Sequence, residues 1–111
     1  MANIYRNAKV DLTTTDVTTL YTVPSDSRAI VKSILVSDDS GSGDSITVTV
    51  TDASSNVFSL FKSKSVGTNA TEQLLSEPLI LQESEILKVT ATTADRLHVV
   101  ASILELNRED R

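Results

Sequence analysis

The chain has 111 residues, of which 40% are hydrophobic and 4% aromatic; it contains no cysteine and carries a formal net charge of −5. This length suits one domain, and the lack of cysteine excludes disulfides, thiolate metal sites and a thiol nucleophile. The acidic balance argues against nucleic acid and anionic membranes as partners, because both attract basic surfaces.

No apolar run near the N-terminus has the length of a signal peptide, and no segment approaches the roughly 20 apolar residues of a membrane span. We therefore expect a soluble chain that is not secreted through a signal peptide. The redox compartment stays open, since a chain without cysteine tolerates either state.

The N-terminal residues can be read in two ways. Residues 4–12 predict either an extended N-terminal arm or a first strand. We therefore separate an arm or first strand at 1–11 from a β-sandwich domain at 12–106 and a charged C-terminal tail at 107–111. A strand at 17–23 follows and ends at Pro24, because proline cannot donate a ladder hydrogen bond.

The middle of the chain predicts two strands of different character. Residues 28–37 are apolar on both faces apart from Lys32 and Ser33, which predicts a central strand covered on both sides or by a neighbouring subunit. Residues 45–52 read SITVTVTD, in which β-branched apolar residues alternate with threonines. That period of two predicts a half-buried strand.

The second half of the chain continues with short strands. Residues 57–62 and 79–81 predict strands, residues 63–69 a loop, and residues 70–76 either one helical turn or a short strand. Two final strands are predicted at 86–92 and 96–106. About eight short strands with turn residues every 8–12 positions predict an all-β fold, a single-domain antiparallel β-sandwich that is jelly-roll-like.

Few residues could carry chemistry. His98 is the single histidine, and Ser102 lies roughly 13 Å from it along one strand at 3.3 Å per residue, so the two cannot converge on a substrate. The loop from Asp38 to Asp44 faintly resembles a calcium loop, but it has Thr49 where a bidentate glutamate is needed; a flexible Gly/Ser loop is the alternative. We predict no catalytic residues, no metal, no cofactor and no enzymatic activity.

Two strands carry apolar residues on both faces. Phe58, Leu60 and Phe61 do so in one strand, and the final strand places Val100, Leu104 and Leu106 opposite a second apolar series. The outer face of an isolated antiparallel sandwich should be polar. An oligomer or docking interface would explain the pattern; coverage by termini or loops is the alternative.

Several short motifs resemble small structural proteins of tailed bacteriophages. They are LYTVP at 20–24, RAIVKSILV at 28–36, ITVTV at 46–50, LIL at 79–81, ILKV at 86–89 and VVASI at 99–103. The resemblance implies a virion β-sandwich module of the kind used in head decoration (cement) proteins and in tail or fibre assemblies. A single module without a stalk favours a free-standing decoration protein, a homotrimer on the outer capsid surface.

The expected function is therefore a capsid decoration or cement protein that stabilises a phage head by binding across junctions of the major capsid protein. It would be assembled in the host cytoplasm and lie on the capsid exterior. A tail, neck or fibre component is the first alternative, and a carbohydrate-binding module is the second. The predicted interface residues are Ile4, Tyr5, Arg6, Lys9, Phe58, Leu104 and Leu106.

Overall fold

The computed structural model describes residues 2–107, which form nine β-strands in two packed sheets. The strands are β1 (Ala2–Asp11), β2 (Thr18–Thr22), β3 (Ser27–Asp38), β4 (Asp44–Thr51), β5 (Val57–Val66), β6 (Thr71–Gln73), β7 (Leu79–Leu81), β8 (Ile86–Ala91) and β9 (Leu97–Asn107). Among these residues no helix is long and apolar enough to cross a membrane.

The strand order is that of a jelly roll. Sheet A has the order β1-β9-β3, with β6 and β7 pairing with separate stretches of β3, and sheet B has the order β2-β8-β4-β5. The paired strands follow one another from the two ends of the chain inwards: β1 pairs with β9, β2 with β8, β3 with β6 and β7, and β4 with β5. A chain folded back in this nested way into two sheets is a jelly roll. The predicted all-β antiparallel sandwich is therefore confirmed.

The core lies between the sheets and is mainly aliphatic. In β4, Ile46, Val48 and Val50 are buried while Thr47 and Thr49 are half-buried, as the alternating pattern predicts. Each fully buried Leu, Ile or Val contributes about 1.5–3 kcal/mol relative to exposure. The largest fully buried side chains include Leu12, Ile34, Ile46, Leu81, Leu87, Leu97 and Ile103.

The structure moves the predicted end of β5 and identifies a strand in the ambiguous segment that follows it. Residues 63–66 belong to β5 and not to a loop, because the strand continues through Ser63, which has φ +53°. The Ser63 amide donates to Thr47 Oγ1 at 3.0 Å, so a bulge absorbs the extra residue without ending the strand. In the ambiguous segment 70–76, residues 71–73 form the short strand β6.

The two ends of the described chain lie side by side. Residues 2–11, given above as an arm or a first strand, form β1, which pairs with β9 in ten consecutive residue pairs without a register shift. Of the predicted tail at 107–111, only Asn107 lies within the described residues, and it ends β9.

Asp38 ties together the loops at one end of the sandwich. Its Oδ1 accepts hydrogen bonds from the Ser40 amide and hydroxyl at 3.0 and 2.6 Å. Its Oδ2 accepts from the amides of Gly43 and Asn69 at 2.9 and 3.0 Å. These donors, the Ser40 hydroxyl foremost, hold the pKa of Asp38 well below its usual range. The carboxylate thus joins the loop after β3 to the loop after β5.

The lowered pKa of Asp38 predicts acid sensitivity. A depressed folded-state pKa gives stability that is fully present above the ordinary carboxyl value of 3.8 and is lost as the pH falls below it. We expect the free energy of unfolding of the wild type, measured with urea, to fall from about pH 5 downwards. Asp38→Asn should be less stable at neutral pH and show a shallower decline. The control is Asp16→Asn in an exposed turn; equal pH slopes for Asp38→Asn and wild type would refute the assignment.

Gly43 is required by backbone geometry in the same loop. Its φ is +72°, and a Cβ there would lie 3.1 Å from the Val66 carbonyl oxygen. A left-handed conformation costs a non-glycine residue roughly 1–2 kcal/mol. We expect Gly43→Ala to lower the free energy of unfolding by at least about that amount in urea titrations. Gly67→Ala is the matched control, because its Cβ would meet only the Ala70 side chain at 3.6 Å, and the prediction fails if both variants lose equal stability.

Candidate functional site

An apolar row crosses the outer face of sheet A from one edge to the other. Tyr5 of β1 lies opposite Leu104 of β9, which lies opposite Ile30 of β3, which lies opposite Ile80 of β7. Residues directly opposite one another in a sheet point to the same face and contact each other. Tyr5 is 79% exposed and Ile80 is 61% exposed, whereas Leu104 and Ile30 are half-buried between them. We call these four residues the apolar row.

The same face carries basic side chains, although the whole chain is acidic. Lys9 lies opposite Val100, which lies opposite Leu35, in a second partly apolar row. Arg28 lies opposite Leu106. These five residues flank the apolar row, so apolar area and positive charge lie together there. The carboxylate of Asp11 lies further along the same face, opposite His98. Such a face suits a partner surface that is apolar and acidic.

A shallow depression lies beside the apolar row. Its lining includes Tyr5, Asn7, Lys32 and Ser102. It is open to solvent and brings together a phenol, an amide, an ammonium and a hydroxyl. That mixture can donate hydrogen bonds to a partner, but it includes no histidine or carboxylate that could act as a base beside Ser102.

The outer face of sheet B has a different character. Across its four strands Thr19 lies opposite Lys88, which lies opposite Thr49, which lies opposite Ser59. Hydroxyl groups on an exposed sheet face remain hydrated and give little apolar area for a partner to bury. The exposed apolar side chains of sheet B, Val57, Phe58 and Leu60, are confined to its edge strand β5. Sheet A, whose apolar row crosses the whole face, therefore presents the better docking face.

The structure separates the seven predicted interface residues into three groups. Tyr5, Lys9, Leu104 and Leu106 share the outer face of sheet A. Ile4 and Arg6 lie on the opposite, core-facing side of the edge strand β1, beside Glu105 and Ile103 of β9. Phe58 is in the other sheet, on edge strand β5 opposite the buried Val50, and it is 56% exposed. The structure thus brings four of the seven together.

Sequence reasoning missed the remaining members of the apolar row. Ile30 lies in the segment predicted to be apolar on both faces, but its neighbours could not be named without the strand register. Ile80 comes from the three-residue strand β7, whose alternation is too short to assign faces. The pairing of β3 with both β9 and β7 is what aligns them.

Glu105 is the polar group that fixes β1 against the rest of the molecule. Its side chain is buried, and its Oε2 lies 2.9 Å from Arg6 Nε and accepts a 2.5 Å hydrogen bond from the Tyr21 hydroxyl. The hydrogen bond and charge of Glu105 raise the pKa of Arg6. Burial, followed by the hydrogen bond to Glu105, raises the pKa of Tyr21 well above its usual value, so its hydroxyl keeps its proton. β1, β9 and β2 therefore meet at one buried carboxylate.

The alternation of residues in β9 predicts that Glu105 is buried, but it does not predict which residues bind it. Glu105 continues the core-facing series of Leu97, Val99, Ala101 and Ile103. A charged residue at the end of that series indicates a buried carboxylate, which requires hydrogen-bond partners. Those partners come from β1 and β2, and only the fold identifies them.

The residues considered for chemistry lie apart from one another. His98 lies on the outer face of sheet A, with its Nε2 3.3 Å from Asp11 Oδ1 and 4.0 Å from Asp39 Oδ2. Ser102 is four residues further along the same strand. At the end of β3, both carboxylate oxygens of Asp38 accept hydrogen bonds from the protein itself. Within residues 2–107 no group of three or more His, Cys, Asp or Glu side chains could hold a metal.

Solved structures share the fold at low identity. No protein-family model matches the sequence, and no curated protein matches it. A chain from the acidic stable capsid structure of Helicobacter pylori bacteriophage KHP30 is similar over 96% of this chain and 89% of its own, with a TM-score of 0.59 and 10% identity. A chain from Bacillus endospore appendages, described as disulfide-linked pili, is similar over 95% and 88%, with a TM-score of 0.56 and 11% identity. At these identities the likeness shows a common fold.

The hydrogen bond from Tyr21 to Glu105 predicts a measurable loss of stability. Bonds to a charged, buried acceptor contribute about 1.5–3 kcal/mol, so we expect Tyr21→Phe to reduce the free energy of unfolding by that amount in urea. Tyr5→Phe is the matched control, because Tyr5 is largely exposed, and it should stay within about 0.5 kcal/mol of the wild type. Equal losses in the two variants would contradict the role given to Glu105.

Proposed function

We propose that this chain is a structural protein of a bacteriophage particle, and specifically a decoration or cement protein that binds across junctions of the major capsid protein. The observation that carries the proposal is the apolar row on the outer face of a jelly-roll sandwich. Its position would be the capsid exterior, reached after assembly in the host cytoplasm. The partners are the major capsid protein and further copies of the chain.

The fold supports this proposal by analogy. The chain matches nearly the full length of a chain in a phage capsid structure, and the sequence motifs at 20–24 and 28–36 resemble phage structural proteins. Because one fold serves many functions, the analogy needs a surface that suits assembly. The outer face of sheet A supplies one, with exposed Tyr5 and Ile80 at its two edges.

The chain would act by stabilising the shell through buried contact area. Burial of about 1,600 Å² in a standard interface offers gross stabilisation at ~25 cal/mol/Å², much of which is offset by the cost of association. Many copies acting on one shell add their contributions, so a modest affinity per copy suffices. Lys9, Arg28 and Lys32 would then favour acidic patches on the shell and set the orientation of docking.

A tail, neck or fibre component is the alternative, and the similarity to a pilus subunit favours it because such subunits form extended assemblies. Those pili are disulfide-linked, whereas this chain has no cysteine, so any filament it forms is held by other contacts. A carbohydrate-binding module fits less well, since sugars stack on aromatic platforms and the exposed Tyr5 and Phe58 lie on different sheets.

We propose no enzymatic role for the chain. A catalytic site needs a nucleophile or acid–base pair converging on one position. His98 lies opposite Asp11 on one side and Ser37 on the other, with Asp39 Oδ2 4.0 Å from its Nε2, and we interpret this group as polar contacts on the open outer face of sheet A. The docking residues within the proposal are Tyr5, Lys9, Leu104 and Leu106, together with Ile30 and Ile80. The other three predicted interface residues lie on the edge strands β1 and β5, where contact with a partner stays a prediction: Ile4, Arg6 and Phe58.

Phage heads test the proposal directly. Purified chain is mixed with heads and, separately, with tails from a phage lacking this gene, and bound protein is measured by sedimentation. We expect saturable binding to heads and at least about tenfold weaker binding for the double variant Tyr5→Ser/Ile80→Ser, because exposed apolar anchors dominate interface energy.

Val57→Ser is the control for that variant. Val57 is as exposed as Ile80 at 61% but lies in sheet B, so its loss should leave binding to heads unchanged. Binding to tails alone would favour the alternative component, and binding to neither would overturn the proposal of a virion protein.

A further inference from the structure

β1 is a long edge strand with no bulge and no proline to interrupt its pairing with another chain. It pairs with β9 on one side, and within the described residues no strand lies on its other side. It is ten residues long and has no bulge in its pairing with β9. Exposed edges of this length and regularity are templates for a further strand.

The other edges of the two sheets are short or irregular. β5 has two register shifts against β4 and carries Lys62 and Lys64. β2 has five residues and one register shift, and β6 and β7 have three residues each. Bulges, charged side chains and shortness are devices that block edge-to-edge pairing. β1 also carries charged side chains, Arg6 and Lys9, but it differs from the other edges in being both long and free of register shifts. These two properties leave it able to pair.

The hydrogen-bonding groups on the free edge of β1 can be identified. The Leu12 amide donates to the Leu97 carbonyl, and the Asp39 amide donates to the Arg96 carbonyl. At this end of β9, the backbone N–H and C=O groups of odd-numbered residues therefore point towards β1, and those of even-numbered residues point towards β3. The regular register then directs the amides and carbonyls of even-numbered β1 residues towards β9. Those of Asn3, Tyr5, Asn7, Lys9 and Asp11 point to the free edge.

A second copy of β1 complements this edge in one register. When Asn7 lies opposite Asn7 of the second copy, two antiparallel β1 strands overlap over residues 3–11. The backbone hydrogen bonds between the copies then form between odd-numbered residues of both strands. Tyr5 then meets Lys9, a pairing of ring and cation, and Asn3 meets Asp11. On the other face Ile4 meets Val10. Each of these cross-strand pairs is favourable or neutral.

Neighbouring registers are worse for reasons of charge and overlap. Moving the axis to Arg6 places two arginines opposite each other, and moving it to Lys9 places two lysines opposite each other, both of which are repulsive. An axis at Ala8 avoids like charges but shortens the overlap to residues 5–11. The register centred on Asn7 keeps the longest ladder without a repulsive pair.

We propose that β1 pairs antiparallel with β1 of a second copy across a two-fold axis at Asn7. The two A sheets become one continuous sheet, and Tyr5 of one copy adjoins the row of Lys9, Val100 and Leu35 of the other. A two-fold contact uses the same surface on both copies and is complete with two. It therefore yields a dimer, in contrast to the trimer implied by the resemblance, and it does not depend on the function proposed above.

The backbone test uses proline on alternate sides of β1. Asn7→Pro removes an amide that points to the free edge, so it should spare the β1–β9 ladder and abolish both central bonds of the dimer. We expect light scattering to give twice the 12.0 kDa chain mass for the wild type and one chain mass for Asn7→Pro at the same concentration. Circular dichroism and thermal unfolding check that the variant is folded.

The charge test identifies the register even if the proline variant fails to fold. Asn7→Lys and Asn7→Asp each place like charges across the axis, and each should dimerise about 2- to 10-fold more weakly than wild type. Mixing the two should restore dimers that contain one chain of each kind, detected by native mass spectrometry. Ser102→Lys is the control: Ser102 lies beside Asn7 on β9, and in the dimer its two copies are about 14 Å apart, beyond the screening length of about 8 Å.

Three outcomes would overturn the proposal. One is a wild-type chain that stays monomeric at millimolar concentration. Another is a dimer or trimer whose affinity is unchanged by the lysine and aspartate variants at Asn7. The third is open filaments weakened by changes in β5, which would indicate that β1 pairs with β5 of the next copy.

Discussion

β9 lies between β1 and β3, and the fold depends on that position. Both of its edges are hydrogen-bonded, so the last strand joins the first strand to the middle of sheet A. Its core-facing side chains close the sandwich, and its outward Leu104 joins Tyr5 to Ile30. The core and the outer apolar row are therefore the two sides of one strand, and a register slip of one residue would exchange them.

Basic side chains lie beside the apolar row, although the chain as a whole is acidic. The chain carries a net charge of −5, yet the outer face of sheet A presents Lys9, Arg28 and Lys32. The carboxylate nearest to β1 in the core, Glu105, is neutralised by Arg6 and bonded to Tyr21. Basic side chains that flank an apolar row favour one orientation of that row towards an acidic partner surface.

Much of the fold could be predicted because the strands alternate clearly and the turn residues separate them. Alternation in β4 and the two-sided apolar pattern of β3 and β9 both correspond to positions in the sheets. The end of β5 was missed because a bulge at Ser63 looks like a loop in sequence. The apolar row was found only in part, since joining Ile30 to Ile80 requires register between strands that are 50 residues apart. Phe58 was grouped with Leu104 by composition, although they lie in different sheets.

The exposed edge of β1 and the outer face of sheet A can act together, because pairing at the edge leaves the outer face of the sheet uncovered. Pairing at the edge engages the backbone of alternate residues, whereas docking on the face engages side chains such as Leu104 and Ile80. A two-fold pair would place two copies of the face side by side in one continuous sheet. A surface with matching symmetry or repeat would then bind both, and linking two weak contacts raises the overall affinity well beyond that of either one. Edge pairing would thereby give a small domain enough contact area to hold an assembly together.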